Sequence, residues 1–169
     1  MRLKENNFAY IDGANLYNGS NSLGWKLDYR RFRVWLKDKY SVERAYLFIG
    51  LAGKNSSLYK FLQESGYTLV FKETVSGSDG KIKGNCDADL VLNAVCDAYE
   101  NNCDRQIIIS SDGDYASLVK FLADKKKLIA LISPSISKKC SILLKRIEVS
   151  IVYINDQRNI LELKRKNPQ

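Results

Sequence analysis

The chain has 169 residues, of which 45% are hydrophobic and 27% are charged, the proportions of an ordinary globular protein. This composition excludes a disordered or fibrous chain, and the length predicts one domain over residues 1–163 with a basic tail over residues 164–169. The net charge of +8 favours polyanionic partners such as phosphate backbones, although a basic surface can also serve solubility alone.

Histidine is absent from the chain, and this absence limits the chemistry that the protein can perform. Mechanisms of the Ser-His-Asp type are excluded, so carboxylates, lysines and bound metals remain. The four cysteines have no CxxC spacing, which disfavours a zinc site and a disulfide framework. The first residues do not resemble a secretory signal, and no apolar run is long enough for a membrane span, so we expect a cytoplasmic location and no membrane association.

Apolar runs and amphipathic segments alternate along the chain. The apolar runs are mostly continuous, as in parallel strands covered on both faces, and the segments between them have helical period. This alternation predicts an α/β fold, a three-layer α/β/α sandwich with a mainly parallel central sheet. The predicted elements in chain order are strand Phe8–Ile11, helix Tyr29–Tyr40, strand Ala45–Ile49, helix Ser56–Ser65, strand Thr68–Phe71, helix Asp87–Glu100, strand Gln106–Ile109, helix Tyr115–Lys125, strand Leu128–Ile132, helix Lys138–Lys145 and strand Val149–Ile154.

The segment from Thr74 to Gly84 has no periodicity and is rich in Gly, Ser and Lys. Such a composition predicts a mobile loop without regular structure. It contains Lys81 and Lys83 and leads directly into the acidic start of the helix at Asp87. A basic loop beside a phosphate-binding site could clamp a nucleic-acid backbone, but lysines are also common in surface loops.

Aspartates occur at three places where a predicted strand or loop leads into a turn or helix: Asp12, then Asp87 with Asp89, then Asp112 with Asp114. Groups beyond the carboxyl ends of parallel strands converge on one crevice, so Asp12 and Asp112 would be neighbours if their strands are adjacent. Each aspartate could instead simply cap the helix that follows it. Asp89 lies on a different helical face from Asp87 and fits a solvated charge as well as a ligand, whereas Asp97 is expected to face solvent.

Several clustered carboxylates cannot all remain ionised without a counter-charge. Two of them about 4 Å apart repel by about 4 kcal/mol at an effective dielectric constant near 20. Either some bind protons or a hard cation neutralises them, and Mg²⁺ or Mn²⁺ suits carboxylate and water ligands. Such an ion supports phosphoryl chemistry without histidine.

Three segments of the chain carry a family resemblance. FAYIDGANLY from Phe8, KGNCDADL from Lys83 and SSDGDY from Ser110 resemble, in this order, the three motifs of NYN domains, which include LabA-like bacterial proteins and belong to the PIN-like nuclease superfamily. The chain departs from the usual pattern at Ser111, Ser117 and Asn93, where glycine, proline and an acidic residue are common. None of these positions is one of the core acids.

The resemblance implies a PIN-like fold and an Mg²⁺- or Mn²⁺-dependent ribonuclease that hydrolyses RNA phosphodiester bonds. It implies that Asp12, Asp87 and Asp112 bind metal as the core acids, that Asp114 supports them, and that Asn15 orients the substrate phosphate or a water. PIN-like domains are often dimeric, so by analogy a homodimer is one expected state.

Aromatic side chains near the motifs suggest how RNA would bind. Tyr17 and Trp25 could stack on unpaired bases, which favours single-stranded RNA, whereas Tyr115 is expected to pack in the core. Lys81 and Lys83 are the basic residues predicted to contact substrate.

Two other functions stay open from the sequence. One is an RNA-binding regulatory module of the same fold with weak or no catalysis, which the amide at Asn93 leaves open. The other is a phosphatase on small esters, which is disfavoured because Asp12-Gly13-Ala14 lacks the second aspartate that haloacid-dehalogenase enzymes use.

Overall fold

The structure, a computed structural model, describes residues 5–51, 55–72, 75–76, 82–83 and 86–164. Six strands form a central sheet in the order β3-β2-β1-β6-β7-β8, and every neighbouring pair in it is parallel. The strands of this sheet are β1 (Asn7–Asp12), β2 (Val42–Gly50), β3 (Thr68–Lys72), β6 (Gln106–Ile109), β7 (Leu128–Ser133) and β8 (Ile151–Tyr153), and a separate antiparallel pair is formed by β4 (Val75–Ser76) and β5 (Ile82–Lys83).

Helices cover both faces of the sheet. The apolar residues of each central strand alternate between the two faces: Ile11 packs with Leu16 and Phe32 on one face, while Tyr10 packs with Leu90 and Leu118 on the other. The helices are α1 (Gly13–Asn21), α2 (Tyr29–Tyr40), α3 (Ser56–Glu64), α4 (Asp87–Glu100), α5 (Ala116–Asp124), α6 (Ile142–Lys145) and α7 (Arg158–Leu161). The predicted three-layer α/β/α sandwich is therefore confirmed, and its described central sheet is entirely parallel.

The predicted elements agree closely with the observed ones along most of the chain. Helices α2 and α4 have the predicted bounds, and β6 does too. The predicted helix at Tyr115 instead starts as a 3-10 turn over Gly113–Tyr115 that continues into α5. The segment predicted as one helix from Lys138 is divided into a 3-10 turn, Ser137–Lys139, and α6, because the backbone at Cys140 is extended.

The prediction of an irregular loop between Thr74 and Gly84 was wrong for the residues that the structure describes. Val75 pairs with Lys83 and Ser76 with Ile82, so the segment contains a short hairpin. Two-residue strands are too short to give a periodic signal. Lys81 lies outside the described residues, as does the tail from Arg165.

No helix in the described ranges is both long and apolar enough to cross a membrane.

Candidate metal centre and substrate cleft

The candidate site lies at the carboxyl edge of the sheet, at its centre. Asp12 ends β1, and Asp112 follows β6 after two serines. These strands are parallel neighbours, which confirms the condition on which their proximity was predicted. From β1 the chain continues to β2 on one side of the sheet, whereas β6 lies on the other, so this edge is a topological switch point where ligands bind in open α/β sheets.

Local capping interactions position two of the acids. Asp12 is the N-cap of α1, and its Oδ1 accepts a hydrogen bond from the backbone amide of Asn15 at 2.9 Å. Asp112 caps the 3-10 turn, and its Oδ1 accepts from the amide of Asp114 at 3.0 Å. The capping interpretation is thus correct for both residues. Because capping uses one oxygen of each carboxylate, it also holds the other oxygen in place for a second partner.

A glycine is required where β1 turns into α1. A Cβ atom at Gly13 would meet the side chain of Ile49 and lie 2.6 Å from the carbonyl oxygen of Phe48. The start of α1 therefore rests directly on the backbone of β2. This close approach holds Asp12 and Asn15 at the sheet edge.

Three carboxylates come together at this edge. One oxygen from each of Asp87, Asp112 and Asp114 lies within 4.8 Å of the other two. Asp87 is the first residue of α4, whose N-cap is Cys86, so Asp87 does not cap the helix itself. Oxygens bound to one Mg²⁺ at about 2.1 Å are at most about 4.2 Å apart, so small side-chain rotations would close the group around an ion. The hard oxygen donors and their spacing fit Mg²⁺ or Mn²⁺.

Tyr115 connects Asp12 to this carboxylate group. Its hydroxyl donates to Asp87 Oδ1 at 2.6 Å and lies 3.3 Å from Asp12 Oδ2. Burial, together with the two carboxylates, raises the pKa of Tyr115 far above its usual value, so the hydroxyl keeps its proton. Tyr115 is buried as predicted, but it also fixes the orientation of two acids.

The electrostatic environment of Asp12 is that of a crowded, partly buried carboxylate. Burial raises the pKa of Asp12, and the charges of Asp87 and Asp112 raise it further, against the opposing hydrogen bonds from Asn15 and Tyr115. A cation at the cluster would oppose this shift by favouring the ionised form.

Asn15 is held in one orientation by the residue that precedes Asp112. Its Oδ1 accepts from both the backbone amide and the hydroxyl of Ser111, each at 2.9 Å, and Ser111 in turn contacts the hydroxyl of Ser135 at 3.0 Å. Because a backbone N–H can only donate, the oxygen of the Asn15 amide must face Ser111. The NH₂ group of Asn15 is then the part left for another acceptor.

A cleft of about 980 Å³ opens beside the acids. Asp12, Asp87 and Asp112 line it at one end, and α1 and α3 form its other part. The predicted residues Asn15 and Tyr17 also line it, and Tyr17 is 59% exposed. Lys139, from the turn after β7, brings a positive charge to the cleft.

The predicted contact of Lys81 and Lys83 with substrate stays a prediction. Lys81 is outside the described residues, and Lys83 is described only as part of β5.

Two residues differ from their predicted environments. Trp25 is buried, and its indole N–H donates to Asn155, so it cannot stack on a base. Asp97 is not simply solvated, since it accepts hydrogen bonds from the hydroxyl of Tyr10 and from Asn102. Helical periodicity predicts which face of a helix carries a residue. It does not predict the hydrogen-bond partner on that face, because the partner comes from another part of the chain.

Asp89 and Asn93, which lie near the second motif, have local partners. Asp89 forms an ion pair with Lys72 at 3.9 Å, and Asn93 donates from its amide to the carbonyl of Asp89.

Three contributions to the site were not predicted from the sequence, those of Ser135, Lys139 and the Tyr115 hydroxyl. A usable signal existed for the first two, because they follow β7 and the ends of parallel strands converge on one edge. No local signal marks the Tyr115 hydroxyl, because its acceptors lie 28 and 103 residues away in the chain.

The fold and the site define an α/β protein with carboxylates gathered at the switch point of a parallel sheet. Comparison with known proteins identifies its family: residues 9–148 match the family model of the NYN domain. The chain therefore belongs to the NYN domain family, which is a nuclease-type family.

Two individual proteins are similar to this chain. The low amplitude and bright protein LabA of Synechococcus elongatus is 25% identical over 134 residues, which are 73% of this chain and 71% of LabA. A crystal structure of a Vibrio parahaemolyticus protein of unknown function superposes with a TM-score of 0.78 at 23% identity, over 95% of this chain and 98% of that one. The first agrees with a LabA-like NYN protein, and the second supports the fold.

Proposed function

We propose that the protein is a metal-dependent endoribonuclease that hydrolyses RNA phosphodiester bonds. The observation that carries this proposal is the convergence of Asp87, Asp112 and Asp114 within 4.8 Å beside a large cleft, in a chain with a net charge of +8. Membership in a nuclease-type family supports the reaction class.

The three clustered carboxylates would hold Mg²⁺ or Mn²⁺, and Asp12 completes the site as its fourth acid. When bound, the ion would polarise the phosphate and lower the pKa of an attacking water. Asp12 lies beside the cluster, linked to Asp87 through the Tyr115 hydroxyl, and its carboxylate would accept a proton from that water. The ligand role predicted for Asp12 itself stays a proposal.

Neighbouring groups would keep these acids and the substrate in position. Tyr115 orients Asp87 through its short hydrogen bond. Asn15, with its oxygen held by Ser111, presents its NH₂ group to the cleft as a donor for a phosphate oxygen. Lys139 would offset the repulsion between the acids and an approaching polyanion.

The test is cleavage of an internally labelled single-stranded RNA with blocked ends, in the presence of Mn²⁺ or Mg²⁺. The Asp112→Asn variant should lose cleavage by about 100-fold or more, because replacing even an outer partner of a metal ligand costs about 10- to 100-fold. It should remain folded, since asparagine is also a good N-cap.

Asp124→Asn is the matched control, because Asp124 is an exposed aspartate that pairs with Lys120 on α5. This control should cleave at the wild-type rate, and a chelator should stop cleavage by both proteins. Equal cleavage by Asp112→Asn and wild type would overturn the proposed site. RNA binding without cleavage under any metal would favour the regulatory binding module instead.

A further inference from the structure

The cleft extends beyond the acids into a region that the hydrolysis of a phosphodiester bond does not require. This part lies between α1 and α3, and we call it the aromatic half of the cleft. Its side chains are mostly apolar or aromatic with polar groups among them: Tyr17, Asn18, Ser22, Tyr29, Leu58, Tyr59 and Leu62.

Two large side chains in the aromatic half are exposed to solvent. Tyr17 is 59% exposed and Leu58 is 45% exposed, whereas Tyr59, which lines the same cleft, is 9% exposed and donates to the carbonyl of Gly50. Exposed apolar groups that rim a cleft are typical of ligand-binding sites. The buried Tyr59 is held by its hydrogen bond, while the surfaces of Tyr17 and Leu58 are open to a ligand.

The aromatic half is close to the candidate metal centre. Tyr17 follows Asp12 by five residues along α1, which is about 7.5 Å at a rise of 1.5 Å per residue. Asn15 lies between the two and lines the same cleft. Because the acids and Tyr17 line one cleft, a strand with a phosphate at the acids could continue along the cleft past Tyr17.

We infer that the aromatic half binds one unpaired nucleobase of the RNA strand, next to the phosphate that lies at the acids. This inference rests on the proposed function for the position of that phosphate. A nucleobase has flat apolar faces and a polar edge, which match the ring of Tyr17 and the side-chain amide of Asn18. A base within a duplex is stacked and paired, so the site selects a strand that is unpaired at this nucleotide.

The test measures binding rather than cleavage, in the Asp112→Asn background so that the strand stays intact. Fluorescence anisotropy with a labelled single-stranded RNA should show about 5- to 10-fold weaker binding when Tyr17→Ala is added, in line with the loss of one base stacked on an aromatic ring. Tyr17→Trp should restore binding. Tyr99→Ala is the matched control, since Tyr99 is 64% exposed on α4 and does not line the cleft.

A strand with one abasic position, moved through the sequence, separates base stacking from general weakening. When the abasic position falls at the bound nucleotide, this strand should bind the protein with Tyr17 as weakly as the normal strand binds Tyr17→Ala. The abasic strand should then bind Tyr17→Ala no more weakly still, because both changes remove the same contact. A duplex of the same sequence should be insensitive to Tyr17.

Unchanged binding in Tyr17→Ala, or additive losses at every abasic position, would overturn the inference. A nucleoside monophosphate that competes as well as the whole strand would overturn it too, because the site would then take a free nucleotide. Since none of these readouts requires cleavage, a failure of the nuclease proposal appears separately, as absent metal-dependent cleavage in the wild type.

Discussion

The two halves of the cleft are built by different means. In the acidic half, Asp12 and Asp112 follow the buried strands β1 and β6 and cap the helical turns that come next, and Asp87 is the first residue of α4. In the aromatic half, Tyr17 and Leu58 come from facing helices, α1 and α3, that follow different strands. Strand ends fix positions tightly because the sheet register leaves them no freedom, whereas groups on helix faces depend on how the helices pack.

This difference separates the proposed roles. Groups that perform chemistry must be held accurately, and a misplacement of about 1 Å can reduce a rate by about 100-fold. Groups that bind a base can tolerate some movement, because stacking depends on area more than on a single distance. Changes in the acidic half should therefore alter cleavage, and changes in the aromatic half should alter binding.

The largest effect that would test this comparison is expected for Tyr115→Phe. Without the hydroxyl, Asp87 loses its 2.6 Å donor, so we expect cleavage to fall about 10- to 100-fold, with more Mn²⁺ needed for half-maximal activity. Tyr59→Phe is the control, since it removes a buried hydroxyl from the other half of the same cleft. Equal losses of cleavage in the two variants would contradict the assignment of cleavage to the acidic half and of binding to the aromatic half.

A smaller effect is expected for Lys139→Gln, which removes a charge from the cleft without removing much side-chain volume. RNA should bind a few-fold more weakly at low salt, and the slope of log K against log salt should fall in magnitude by about 0.7, the value for one phosphate contact with a single strand. The control is Lys120→Gln on α5, whose charge is exposed and paired with Asp124. If both variants keep the wild-type slope, Lys139 does not contact a phosphate.

The smallest effect concerns stability and is expected for Asp12→Asn. Because the folded-state pKa of Asp12 is raised above 3.8, the folded protein binds more protons, and stability is lost as pH rises through the interval between the two pKa values. Asparagine also caps the helix but does not ionise, so the variant avoids the loss of stability with rising pH. In chelator at pH 7 we expect a higher melting temperature, by about 2–4 °C for each kcal/mol of repulsion relieved.

The matched measurement is the melting temperature from pH 4 to pH 8, with and without Mn²⁺. In chelator, the melting temperature of the wild type should fall relative to that of Asp12→Asn as the pH rises. Added Mn²⁺ should raise the melting temperature of the wild type more than that of the variant. A variant that melts below the wild type throughout this range would show that ionised Asp12 stabilises the fold, which contradicts a raised pKa.

Much of the fold and part of the site could be predicted from the sequence. The continuous apolar runs gave the positions of all six strands of the main sheet, and the helical period gave α2 and α4 with their bounds. The hairpin of β4 and β5 was missed because pairs of two residues have no period. Asp97 was misplaced because its partner Tyr10 is 87 residues away and nothing local marks the contact.

By itself, the sequence determined the local features: which segments are strands, that they are parallel, and that aspartates follow them. Hydrophobic period and capping chemistry are properties of short segments, so they can be found without the fold. The tertiary structure decided which strand ends are neighbours, and through them which acids meet. It also brought Tyr115, Ser135 and Lys139 to the same edge, because contacts between distant segments depend on strand order and helix packing, which no single segment encodes.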